Sequence, residues 1–125
     1  MIHKRGFTLI ELMVVMAILA TLLTLAVPRY FHSVDRSREA VLRQTLSTTR
    51  DAIDKYYGDH GRYPDSLQEL VARRYLRSTP FDPITESEAT WNIVPVPGRA
   101  TQGEVYDLKS GAAGNATDGK PYAEY

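Results

Sequence analysis

The sequence predicts an α+β fold. A long N-terminal helix has a transmembrane half and an amphipathic half, and a short second helix follows. A small antiparallel sheet of about three strands packs on the amphipathic half. Three observations predict this. Residues 7–27, FTLIELMVVMAILATLLTLAV, carry one charge, Glu11. Residues 29–57 contain neither Gly nor Pro and repeat apolar side chains at helical spacing. From residue 90 onward the apolar period falls to two, as in half-buried strands.

The apolar segment comes first. A helix rises about 1.5 Å per residue, so this stretch spans roughly 30 Å, a bilayer core. A helix apolar on every side must be buried in lipid or in other protein. The 98 residues from Pro28 onward are too few to bury it in their own core. Lys4 and Arg5 form a cationic leader like that of a secretory signal peptide, but Leu19 and Leu22 spoil an A-x-A cleavage pattern around Ala17, Ala20 and Ala26. Arg29, Arg36, Arg38 and Arg43 follow the span closely, so charge counting alone would put the C-terminal side in the cytoplasm.

Glu11 needs its own account. A carboxylate in a membrane span costs about 2.5–3.5 kcal/mol on insertion scales. The segment has no Lys, Arg or His to pair with it. A cut before Phe7 would create an α-amino group four residues upstream, able to meet Glu11 of its own chain or of a neighbour.

Gly6-Phe7-Thr8-Leu9-Ile10-Glu11, behind the charged leader, resembles the cleavage and methylation motif of type IV pilins and type II secretion pseudopilins. The resemblance implies that a prepilin peptidase cuts between Gly6 and Phe7 and N-methylates Phe7. It gives Glu11 the role of neutralising the terminal amine of an adjacent subunit, and makes Pro28 the helix-kinking proline. It also implies a leader in the cytoplasm and a head in the periplasm, against the charge count. The expected organisation is a leader at 1–6, a transmembrane and filament-core helix at 7–28, and a periplasmic head at 29–125.

Along residues 29–57, Leu42, Leu46, Thr49, Ile53 and Tyr56 form an apolar stripe that should pack as core. The run at 58–61, GDHG, ends the helix. Asp65 is the expected N-cap of the short second helix, with Gln68 at the third helical position and Leu67, Leu70 and Val71 on its apolar face. Residues 80–83 are a loop. Strands are expected at 90–94, 104–108 and 122–125, with a turn at 97–103. Three short strands need support from the stem helix. GRYPDSLQELV, the following FDP, and VYDLKSGAAGNATDGKPYAEY are similar to the matching parts of the major, G-type pseudopilins.

Composition narrows the function. Fifteen Lys and Arg balance fifteen Asp and Glu, which argues against a nucleic-acid binder. Without cysteine there is no disulfide, thiolate metal site or cysteine nucleophile. That favours the pseudopilin branch over the many disulfide-closed pilins. No G-x-S-x-G, H-E-x-x-H or phosphate loop points to an enzyme. The G-type resemblance brings in one ion, calcium, at Ser110, Asn115 and Asp118, although the usual aspartate pair of that loop is missing; a plain polar turn is the alternative. Residues 29–77 carry ten basic and seven acidic groups, a net +3, whereas residues 78–125 carry three and seven, a net −4. This suggests that the acidic lobe of one head faces the basic stem of another. The family resemblance then implies a homo-polymer in a type II secretion pseudopilus. Its expected partners are prepilin peptidase, membrane lipid before assembly, minor pseudopilins and an inner-membrane assembly platform. The alternative is a type IV pilin or minor pilin for adhesion, motility or DNA uptake.

Overall fold

The computed structural model describes residues 4–98 and 103–125. Helix α1 covers Leu9–His60 and α2 covers Leu67–Ala72. Strands β1, Asn92–Val94, and β2, Asp107–Lys109, form an antiparallel pair, and a 3-10 turn follows at Tyr122–Glu124. The chain divides into two compact units, Met1–Asp35 and Arg36–Tyr125, and α1 contributes to both.

In the first unit α1 buries nothing. Its most apolar 18-residue window has a mean hydropathy of 2.5 and lies wholly exposed. The hydroxyls of Thr21 and Thr24 donate to the carbonyls of Ala17 and Ala20 at 2.9 and 2.8 Å. Each polar group is thereby satisfied inside its own helix, which suits an apolar solvent. Pro28 lies within α1 and offers no N–H to the carbonyl of Thr24.

In the second unit α1 buries Glu39, Leu42, Leu46, Thr49, Ala52, Ile53 and Tyr56. The whole expected stripe is core. Leu67, Leu70, Trp91, Val105 and Leu108 complete the cluster. The helix runs through Gly58 and ends within the expected run at 58–61: Gly61 adopts φ +69°, and its N–H donates to the Tyr57 carbonyl at 2.8 Å. Gly61 takes the left-handed turn that stops a helix, a conformation costly for any side chain.

The cap of α2 lies one residue beyond the expected pair. Ser66 is the N-cap, and its hydroxyl oxygen accepts from the Glu69 N–H at 3.2 Å. Glu69 reaches back to accept from the Asp65 N–H at 2.7 Å. Serine and glutamate three apart satisfy two free helix-end donors, a better fit than Asp65 with Gln68.

The sheet has two strands, paired Asn92↔Lys109, Ile93↔Leu108 and Val94↔Asp107. The expected third strand at 122–125 is the 3-10 turn. A strand would send Tyr122 and Tyr125 to opposite faces, whereas residues three apart in a 3-10 turn share one. Both tyrosines here pack against the core and bond to groups presented by α1 or the loop before them. Of the expected turn at 97–103, residues 99–102 lie outside the described residues.

The loop at 80–83 is anchored internally. The indole N–H of Trp91 donates to the Pro80 carbonyl at 2.8 Å. The buried Asp82 carboxylate accepts from the Ile84 N–H at 2.9 Å and the Ser110 hydroxyl at 2.7 Å. The opposed charges of stem and lobe also meet within one subunit. Arg38 faces Glu86 at 3.5 Å, Arg43 faces Asp118 at 3.4 Å and Arg50 faces Asp107 at 2.8 Å. Arg50 also donates to the Leu108 carbonyl at 3.1 Å, so these three arginines have acidic or carbonyl partners within their own subunit.

Candidate processing and assembly site

The site forms at the start of α1. Gly6 is exposed, with open space where a side chain would stand, and Phe7 is 84% exposed. The bond between them is accessible to an enzyme. The Thr8 hydroxyl oxygen accepts from the Glu11 N–H at 3.1 Å, and Glu11 Oε2 accepts from the Thr8 N–H at 3.4 Å. This is a reciprocal cap. It places the carboxylate at the positive end of the helix, where an anion is favoured. Thr8 is the capping partner of Glu11 that sequence reasoning missed, and its signal was the T-x-x-E spacing ahead of an apolar run.

Pro28, the expected kink, lies some seventeen residues along the same helix, within the first unit. The three residues expected to hold calcium do not share one set of contacts. Ser110 is fully buried, and its hydroxyl donates to Asp82. Asn115 forms an isolated antiparallel bridge with Pro121. Asp118 accepts from the Lys120 N–H at 2.9 Å and the Tyr125 hydroxyl at 2.7 Å, beside Arg43. Those bonds and the guanidinium hold its carboxyl below the ordinary aspartate range.

A second acid escaped sequence reasoning. Glu39 is 3% exposed. Its Oε1 accepts from the Thr117 N–H at 2.7 Å and the Tyr122 hydroxyl at 3.1 Å, and its Oε2 accepts from the Thr117 hydroxyl at 2.6 Å. Burial works against the charged form. The Thr117 and Tyr122 bonds and the Arg43 charge outweigh it, so the carboxyl titrates below its ordinary value. The sequence signal was an acid on the apolar stripe, three residues before Leu42.

Comparison with known proteins fits this arrangement. The prokaryotic N-terminal methylation motif matches residues 1–27. The chain is 30% identical to competence protein ComGC of Halalkalibacterium halodurans, over 62% of this chain and 76% of that protein. It is 29% identical to fimbrial protein EcpC of Eikenella corrodens, over 93% of this chain and 78% of that one. With type II secretion system core protein G of Pseudomonas aeruginosa it shares 39% identity, over 56% of this chain and 49% of that protein. The chain thus spans about half the length of that core protein G. No solved structure matches significantly. The chain belongs to the type IV pilin and type II secretion pseudopilin family, a structural rather than enzymatic one, whose apolar N-terminal helix anchors it to a membrane.

Proposed function

We propose that the chain is a structural subunit of a type II secretion pseudopilus, which polymerises through α1 after prepilin peptidase removes residues 1–6 and methylates Phe7. The observation that carries this reading is Glu11, a capped carboxylate on a fully exposed apolar helix, four residues from an accessible Gly6–Phe7 bond. Before assembly, lipid covers the helix, with the leader in the cytoplasm and the head in the periplasm. In the polymer, the helices of neighbouring subunits cover one another. The terminal amine of one Phe7 then meets Glu11 of the next subunit, where low dielectric strengthens the pair. Repeating one heterologous contact that does not close yields an open helix of subunits. Minor pseudopilins and an inner-membrane assembly platform are its partners.

Core protein G relatives in several species and the missing cysteines support the pseudopilus. A type IV pilus is the second reading, supported by the long match to the fimbrial protein. Mass spectrometry of the purified protein tests the common core: loss of residues 1–6 and one methyl group on Phe7 are expected, and an intact leader refutes it. A deletion strain separates the two readings. Loss of secreted proteins from the medium with surface fibres intact favours the pseudopilus; the reverse favours the pilus.

A further inference from the structure

The family likeness brings calcium to the loop at 110–119, but the groups there do not fit it. Calcium takes six to eight oxygen ligands, drawn largely from carboxylates and carbonyls. Asp118 is already bound through both oxygens: Oδ1 by the Lys120 N–H, Oδ2 by the Tyr125 hydroxyl and the Arg43 guanidinium. The carbonyls of Gly114, Ala116 and Lys120 accept from the N–H groups of Tyr122, Gly119 and Ala116 at 3.1, 2.9 and 2.8 Å. Ser110 is turned to Asp82. Among the described residues, no three His, Asp or Glu side chains gather as ligands.

We propose that Glu39 and Arg43, one turn apart on α1, do a cation's work and clamp this loop, so that the head folds without calcium. A bound cation would hold a loop by collecting its oxygen acceptors. Here an anion and a cation divide that task. Glu39 collects the donors, namely the Thr117 N–H and hydroxyl and the Tyr122 hydroxyl. Arg43 collects the acceptors: its Nη2 lies 3.0 Å from the Tyr125 hydroxyl and 3.4 Å from Asp118. The guanidinium also sits 5.3 Å from the centre of the Tyr125 ring. A guanidinium at Asp118 repels a second cation from the same carboxylate. The clamp concerns the head alone and goes beyond either assembly reading.

The test uses the full processed chain in detergent micelles, with thermal unfolding followed by Trp91 fluorescence in EDTA and in millimolar calcium chloride. Equal midpoints are expected for the wild type. Glu39→Gln, which offers an amide to groups that need an acceptor, should melt several degrees lower in both buffers. A midpoint that rises by several degrees with calcium overturns the proposal, as does a Glu39→Gln protein melting with the wild type. If that variant does not fold, the wild-type calcium series decides alone.

Discussion

Single atoms set the stability of the head. The Tyr56 hydroxyl, inside the core, donates to Glu69 Oε1 at 2.5 Å. That bond, then the Asp65 amide and the charges of Arg62 and Arg73, hold the Glu69 carboxyl below its ordinary range against the effect of burial. Hydrogen bonds to charged groups contribute about 1.5–3 kcal/mol. Tyr56→Phe should therefore lower stability by about that much, read as a reduced urea midpoint with an unchanged slope. Gly111 is another such point. A Cβ there would collide with the Thr90 carbonyl oxygen, a backbone atom that cannot swing away. Gly111→Ala should cost about 1–3 kcal/mol, as overpacking does, and the same denaturation series would measure it. A variant as stable as the wild type would mean that the loop can move aside.

Elements are decided at their ends. The cap formed by Thr8 and Glu11 closes the start of α1, and removing a cap costs about 1 kcal/mol. Thr8→Val keeps the shape and loses the acceptor. Amide exchange at residues 9–12 should speed up in micelles while the head is unchanged; unaltered exchange would show that the cap contributes nothing. At the other end, Gly61 terminates α1 because its backbone can adopt a positive φ. The 3-10 turn at Tyr122–Glu124 exists because Tyr122 and Tyr125 both have partners on one side, and Pro121 starts it at φ −58°.

At the scale of the molecule, three carboxyls of the head, Glu39, Glu69 and Asp118, titrate below their ordinary values. A group whose pKa is depressed on folding contributes stability that is complete above its unfolded pKa, about 4 for a carboxyl, and lost as pH falls through the folded value. The facing Arg43 and Arg62 guanidiniums are pushed further toward their charged form and the Tyr56 hydroxyl toward its neutral one, so none of the three changes charge in that window. The thermal midpoint should be flat through weakly acidic pH and drop below about pH 4. A midpoint that rose on acidification would contradict this. On the proposed reading, assembly turns on Glu11. Removing one partner of a buried ion pair costs about 3–5 kcal/mol. Glu11→Gln should leave subunits in the membrane and abolish fibres, as seen by electron microscopy of sheared filaments; normal fibres would refute the pairing.

The sequence alone determined the N-terminal methylation motif, the apolar span, the stripe from Leu42 to Tyr56 and the change of period that marks the sheet. All of these are patterns of neighbours along the chain: a helix repeats every 3.6 residues and a strand every two, so one buried face is visible as spacing. Tertiary structure decided what joins residues far apart. Glu39 meets Thr117 across 78 positions, Arg50 meets Asp107 across 57, and Ser110 meets Asp82 across 28. No local period encodes such meetings, and the same opposite charges could as well have met between subunits. The last residues, expected as a strand, form a 3-10 turn in which Tyr122 bonds to Glu39 and Tyr125 to Arg43 and Asp118. Buried polar groups such as Glu39, Asp82 and Ser110 require such distant meetings, since each must find a partner once water is gone.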